Sequence, residues 1–136
     1  GWDTVTHELF LTEIVAEMQA ADIRTSLFIE TNEEKIKAAS RIGTDRIELF
    51  TGPYADQYAE NREAAIAPYI EAAKLAKSLG LGLNAGHDLN LENLNYLIVS
   101  IPWIKEVSIG HALISDALYM GLEKTIKAYK NCLIAL

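Results

Sequence analysis

Two histidines in this sequence each follow a glycine directly, in Gly86-His87-Asp88 and in Gly110-His111. An imidazole can donate or accept a proton near neutral pH without a large shift in its pKa. A glycine lets backbone N–H groups approach an anion, and the start of a helix favours a phosphate group. The two motifs predict acid–base chemistry at His87 and an anion site at Gly110 and His111. From the residues alone, His87 could equally be a solvent-exposed loop residue, and Gly110 could simply make a turn.

A single acidic residue stands inside an apolar run, Ile47-Glu48-Leu49. If Ile47 and Leu49 pack under helices, Glu48 points to the other face of the sheet, because an unpaired carboxylate buried under helices would be costly. There it could stabilise positive charge or hold a substrate hydroxyl or amine. A structural alternative is an ion pair with Arg46 or Arg24. Thr51, just after the run, could add a hydrogen bond to a ligand at the same edge.

The segments that must position these residues alternate between helix-prone and β-prone runs. After an amphipathic helix over about 8–20, the pattern predicts strands starting near residues 25, 46, 82 and 106, each followed by a helix. We expect a loop over 54–61, a helix start or kink at Pro68, and one last helix carrying Leu118, Leu122 and Ile126. Alternating strands and helices predict an α/β fold with a parallel sheet and right-handed crossovers.

Four parallel strands fit either a small open sheet or half of a (β/α)₈ barrel. The direction of Glu48 and the polar, glycine-rich residues after the strands, such as Thr51 and Gly86, favour the TIM barrel, whose active site lies at the strands' carboxyl ends. Periodicity alone does not decide between them. A barrel takes about 200 to 250 residues, and this chain has 136. The barrel interpretation makes residues 1–136 one domain without an internal boundary, supplying about the last four βα units.

The composition argues against several classes of protein. A formal net charge of −7 is unlike a nucleic-acid-binding surface. No apolar run approaches the roughly 18 to 20 residues of a membrane span, and the first residues do not resemble a signal peptide. Three scattered histidines and one cysteine, Cys132, predict neither a metal site nor an internal disulfide. We therefore expect a cytoplasmic protein.

These motifs resemble the pyridoxine 5′-phosphate synthase family of vitamin B6 biosynthesis. The Asn-Ala-Gly-His and Ile-Gly-His-Ala pieces are the most specific. The matching segments follow the same order over almost the whole chain: residues 26–29, 47–55, 79–89, 109–114 and 120–122.

The resemblance implies a (β/α)₈ barrel with additional helices that assembles as an octamer. It also implies ring closure between 3-amino-2-oxopropyl phosphate and 1-deoxy-D-xylulose 5-phosphate, giving pyridoxine 5′-phosphate, phosphate and water. No metal or organic cofactor is implied. By position, His87 would be the proton donor and Glu48 the carboxylate that stabilises charged states. Gly110 and His111 would bind the phosphate of the aminoketone, and Asp88 would line that site.

The same resemblance places a second histidine, a glutamate base and phosphate-binding arginines in an N-terminal half that has no counterpart here. We therefore expect the 136-residue chain alone to be inactive and to need the N-terminal half of the barrel as its partner. Two other functions stay open at this point. One is a non-catalytic phosphate-binding α/β module, and the other is a structural half-barrel that must pair with a partner chain.

Overall fold

Strands alternate with helices throughout residues 1–134, the part of the chain that the computed structural model describes. The described elements, in chain order, are α1 (Glu8–Ala20), β1 (Ser26–Ile29), α2 (Glu33–Ile42), β2 (Arg46–Phe50), α3 (Gly52–Ser78), β3 (Gly82–Gly86), α4 (Leu94–Ser100), β4 (Glu106–Ser108), α5 (His111–Met120) and α6 (Leu122–Cys132). None of these helices is both long and apolar enough to cross a membrane.

The sheet is parallel, and its strand order follows the chain order, β1-β2-β3-β4. A doubly wound open sheet reverses its strand order and so places helices on both faces. An unbroken order with right-handed crossovers places every crossover helix on the same face, as in consecutive units of a (β/α)₈ barrel. The α/β fold predicted from the sequence is confirmed, and its topology is that of part of a TIM barrel.

The two faces of the sheet differ because side chains alternate along each strand. The face under the helices is apolar and buried, with Leu27, Ile29, Ile47, Leu49, Leu83 and Ala85. The opposite face is polar near the points where β2 and β4 begin. There the Arg46 guanidinium donates to Asn84 Oδ1 at 3.1 Å and lies 3.0 Å from Glu106 Oε2. The Arg24 guanidinium lies 2.8 Å from Glu106 Oε1. We call Arg24, Arg46, Asn84 and Glu106 the floor cluster.

The expected loop over 54–61 is wrong, because α3 runs through it. Tyr54 and Tyr58 lie one helical turn apart and stack edge to face, with ring centroids 5.5 Å apart. Tyr54 is fully buried, so this turn has an apolar face despite its polar neighbours. The helix breaks at Asn61 (φ −156°, ψ 89°), where Asn61 Oδ1 accepts from the Ala64 N–H at 3.0 Å and caps the second segment. The backbone stays helical at Pro68, where the sequence predicts a helix start or kink.

The expected single last helix is two helices, α5 and α6. Gly121 separates them with φ +80° and ψ 143°, a conformation that is open to glycine and closed to residues with a Cβ. Apolar residues at four-residue spacing continue across this break, and that spacing alone does not reveal it. The break lets α5 and α6 pack against each other, and the Tyr129 hydroxyl of α6 donates to Asp116 Oδ2 of α5 at 2.8 Å.

Candidate functional site

A cleft of about 490 Å³ opens where β2, β3 and β4 end, and it is lined by Glu48, His87, Ser108, Ile109, Gly110 and His111. The fold thus brings together both Gly-His motifs and the acidic residue of β2. The rings of His87 and His111 lie edge to face, with centroids 6.0 Å apart. Each group comes from a different strand or the loop after it, as expected when parallel strands end at one edge.

Glu48 points into this cleft from the polar face of the sheet, since its neighbours Ile47 and Leu49 are buried under helices. Burial raises the pKa of the Glu48 carboxyl, and the nearby charge of His87 partly offsets this effect. Arg46 and Arg24, the ion-pair partners considered from the sequence, instead contact Glu106. Within residues 1–134, the Glu48 carboxylate has no ion pair, so it is open to a ligand.

Gly86 makes room for this arrangement at the end of β3. A Cβ at this position would lie 2.5 Å from the Ser108 carbonyl oxygen and 3.0 Å from Glu48 Oε1. Only a residue without a side chain fits this close approach of β3 to β4. Gly86 lies outside the cleft lining, and its role in binding substrate stays a prediction.

His87 has φ +69°, in the left-handed region that residues with side chains adopt infrequently. Its backbone N–H donates to the Ser108 carbonyl at 2.7 Å, which holds the start of the loop against β4. The imidazole is 64% exposed, and its Nδ1 lies 3.3 Å from Asp88 Oδ1. A carboxylate at one ring nitrogen orients the imidazole and leaves the other nitrogen for proton transfer.

Asp88 and Thr51 lie beside and behind the cleft, outside its lining. One oxygen of Asp88 contacts the His87 ring, and the other, Oδ2, is buried without a hydrogen-bond partner in the described part of the chain. Thr51 is fully buried, and its hydroxyl donates to the Gly86 carbonyl. This hydroxyl, predicted from the sequence to contact a ligand, is occupied in joining the end of β2 to the end of β3.

Gly110 stands at the start of α5, where it is the N-cap residue. The first intrahelical hydrogen bond runs from the Ile114 N–H to the Gly110 carbonyl, at 3.1 Å. The N–H groups of the first turn, beginning at His111, therefore precede the helical ladder and have no acceptor within the helix. A Cβ at Gly110 would meet nothing within 4 Å, so space for a ligand is present here.

Two parts of the site were missed from the sequence. Ser108 lines the cleft and supplies the carbonyl that holds His87. Its polar side chain shares the parity of Glu106 along β4, and this alternation could have placed it on the same face. Asn93 is buried and hydrogen-bonded to the loop that carries His87. Nothing in the local sequence distinguishes Asn93 from the nearby Asn90, so the sequence carried no signal for that contact.

Metal ligands are not clustered here. Across residues 1–134, no group of three or more histidine, cysteine, aspartate or glutamate side chains is arranged to hold a metal ion.

Comparison with known proteins gives one family and a consistent set of relatives. The model of the family "Pyridoxal phosphate biosynthesis protein PdxJ" matches residues 1–135. A pyridoxine 5′-phosphate synthase of Phocaeicola vulgatus is 62% identical over 133 residues, covering 98% of this chain and 56% of the relative. One of Bacteroides thetaiotaomicron is 59% identical with the same coverage. One of Porphyromonas gingivalis is 53% identical over 131 residues, 96% of this chain and 55% of the relative. The chain spans about half the length of the curated relatives it matches.

Proposed function

The chain belongs to the PdxJ family of pyridoxal phosphate biosynthesis proteins, and we propose that it forms half of a pyridoxine 5′-phosphate synthase barrel. The relatives it matches at 62% and 59% identity carry that name. The observation that carries the proposal is the convergence of Glu48, His87 and the start of α5 on one cleft. An imidazole, a carboxylate and the N–H groups at a helix start support acid–base chemistry on a phosphate ester at this cleft.

In the proposed reaction, 3-amino-2-oxopropyl phosphate condenses with 1-deoxy-D-xylulose 5-phosphate to give pyridoxine 5′-phosphate, phosphate and water. The phosphate of the aminoketone binds at Gly110 and His111, where the N–H groups of the first turn of α5 and its dipole favour an anion. Asp88, which lies outside the cleft lining, acts beside this subsite through its contact with the His87 ring. The chemistry needs no metal or organic cofactor in this proposal.

His87 is the proposed proton donor. Its Nδ1 faces Asp88 Oδ1 at 3.3 Å, which leaves Nε2 to exchange a proton with the substrate. Glu48 stabilises the positive charge that forms along the path. Burial raises the pKa of the Glu48 carboxyl. The same burial removes water from around the carboxylate, so its charge interacts more strongly with a substrate cation than a charge in water does.

The partner in this proposal is the N-terminal half of the same barrel. Both flanks of the described structure expose large apolar side chains: Leu9 and Phe10 on α1, and Leu118 and Tyr119 on α5, with Leu118 81% and Tyr119 90% exposed. No residue of α5 is buried. Apolar faces of this extent need a covering surface, and the next βα units of a barrel would supply one on each side. An octameric assembly and a cytoplasmic location are further proposals, and they follow from the family resemblance.

An assay of product formation tests the proposal. We define the complete barrel as this chain together with an N-terminal half, which the Phocaeicola vulgatus relative can supply. The complete barrel is expected to form pyridoxine 5′-phosphate from the two phosphorylated substrates. The 136-residue chain alone is expected to form none, because four βα units build only part of the site. Lack of product from a folded complete barrel, or turnover by the chain alone, would contradict the proposal. Binding of phosphate esters by the chain alone, without product from the complete barrel, would favour a non-catalytic binding module.

A further inference from the structure

The loop that carries His87 is held from outside the cleft. We define the His87 loop as residues 86–93, from the end of β3 to the residue before α4. His87 has φ +69°, and a residue in this region keeps its conformation only where the surrounding structure enforces it. The ring is 64% exposed, and its hydrogen-bonding partner within residues 1–134 is the neighbouring Asp88. The backbone of the loop therefore decides where the imidazole lies.

Asn93 closes this loop with hydrogen bonds from both ends of its side-chain amide. The residue is 2% exposed. Its Nδ2 donates to the backbone oxygen of Asp88 at 3.3 Å, and its Oδ1 accepts from the Asn90 N–H at 2.9 Å. Its own backbone N–H donates to Asn90 Oδ1 at 3.1 Å. One buried side chain thus spans the loop and reaches the residue next to His87.

Tyr54 ties the same residue to α3. Its hydroxyl donates to the Asn93 backbone oxygen at 2.7 Å, and the side chain is fully buried. The ring packs edge to face against Tyr58 and Tyr69, with centroids 5.5 and 5.7 Å away. Removing one partner of a buried hydrogen bond leaves the other without a replacement. The Tyr54 hydroxyl therefore holds the His87 loop at a fixed distance from α3.

We propose that Asn93, supported by Tyr54, is a positioning residue that fixes the His87 imidazole relative to Glu48 and His111. This inference rests on the proposed function, in which His87 donates a proton to the substrate. Asn93 and Tyr54 lie outside the cleft lining and act only through the loop. Proton transfer depends on such support, because a misplacement of about 1 Å can cost about 10²-fold in rate.

Two variants remove this support with little change in volume. Asn93→Asp replaces the Nδ2 donor with an oxygen that faces the Asp88 carbonyl, while the acceptor toward Asn90 stays. Tyr54→Phe removes only the hydroxyl. The matched control is Tyr129→Phe, which also deletes a phenol hydrogen bond of a buried tyrosine, from Tyr129 on α6 to Asp116 Oδ2 on α5 at 2.8 Å.

Steady-state kinetics of the complete barrel give the first measurement. We expect Asn93→Asp to lower kcat by about 10-fold to 10²-fold, with KM for both substrates within about twofold of wild type. Tyr54→Phe should act in the same direction and more weakly, and it carries the test if Asn93→Asp does not fold. A lower melting temperature with wild-type kcat, or a kcat no lower than that of Tyr129→Phe, would show a merely structural role and overturn the inference.

The second measurement needs no turnover. Diethyl pyrocarbonate modifies accessible imidazoles, and peptide mass spectrometry can compare the rate at His87 with the rate at His7, which lies before α1. We expect Asn93→Asp and Tyr54→Phe to change this ratio and Tyr129→Phe to leave it unchanged. An unchanged ratio in the first two variants overturns the inference. Absence of product from wild type would overturn the proposed function instead, and the ratio would then decide the positioning role by itself.

Discussion

Charged residues lie both in the floor cluster and at the cleft, and the two groups differ in whether their glutamate has an ion-pair partner. In the floor cluster, Arg24 and Arg46 both contact Glu106, at 2.8 and 3.0 Å. In the cleft, Glu48 has no ion-pair partner in the described structure, and the His87 ring is largely exposed. Charges that satisfy one another hold strands together, whereas unpaired charges at a cleft are available to a ligand.

The two glutamates of this face show the difference most clearly. Glu48 and Glu106 lie in one row across the sheet, because Asn84 is in register with both. Burial raises the pKa of Glu48, with a partial offset from His87. Burial also acts against ionisation of Glu106, but Arg24 and Arg46 outweigh it and lower the pKa of that carboxyl. The same residue type on the same face thus has an unpaired carboxyl at one position and an ion-paired carboxyl at the other.

The largest effect is expected from His87→Ala in the complete barrel. Loss of a proton donor should lower kcat by roughly 10²- to 10⁴-fold. The exposed ring contributes little packing, so the melting temperature should stay close to that of wild type. Kinetic assays and thermal unfolding of the same preparation check both parts. Full turnover by the variant would remove His87 from the mechanism and with it the contrast between cleft and floor.

Gly86→Ala should affect both stability and turnover. The added Cβ would lie 2.5 Å from the Ser108 carbonyl, the group that accepts the His87 N–H at 2.7 Å. We expect a loss of roughly 1 to 3 kcal/mol in the free energy of unfolding, as for other overpacked sites, and a lower kcat. Gly110→Ala is the matched control for stability, because a Cβ there meets nothing within 4 Å. Equal destabilisation by the two variants would contradict the close packing of β3 on β4.

Glu48→Gln should change the pH dependence of stability. Because the folded-state pKa of Glu48 is raised, the protonated form is favoured in the folded protein. The stability that Glu48 contributes is fully present below its ordinary pKa and is lost as the pH rises through the raised value. The glutamine variant should therefore gain stability over wild type at neutral pH, and the gain should vanish in acid. Chemical unfolding at several pH values measures it, and a constant difference between the two proteins would be the contrary result.

The smallest effect is expected in the floor cluster, from Arg46→Met. It removes the donor to Asn84 and one partner of Glu106. Because Glu106 is half exposed and water screens its ion pair, the loss in free energy of unfolding should be the smallest among these variants. Because the pKa of Glu106 is lowered in the folded protein, this carboxylate stabilises the fold above its ordinary pKa, and the stabilisation is lost as the pH falls. The difference in stability between Arg46→Met and wild type should therefore be smaller in acid. A kcat loss as large as that of His87→Ala would abolish the distinction between the two regions.

Local sequence patterns indicated correctly to which face of the sheet the strand side chains point. In β2, the alternation around Glu48 places it opposite Ile47 and Leu49, because side chains alternate strictly along a strand. The positions of the loops after β3 and β4 were equally predictable, since Gly86-His87 and Gly110-His111 end the apolar runs. The cleft follows from these two facts once the strands are parallel.

Other features depend on contacts between distant segments, and no local pattern revealed them. The helical turn over Tyr54 forms because its ring is buried with Tyr58 and Tyr69, although the surrounding residues are polar. The internal use of the Thr51 hydroxyl depends on Gly86, which lies on the next strand. The break at Gly121 could be predicted only in part. The glycine is visible in the sequence, but the apolar four-residue spacing continues past it.

The location of the aminoketone phosphate tests the central claim most directly. A crystal structure of the complete barrel with 3-amino-2-oxopropyl phosphate would show it. We expect the phosphate against the backbone N–H groups at Gly110 and His111, with the rest of the molecule directed toward His87 and Glu48. A phosphate bound elsewhere, with the cleft of β2, β3 and β4 empty, would contradict it.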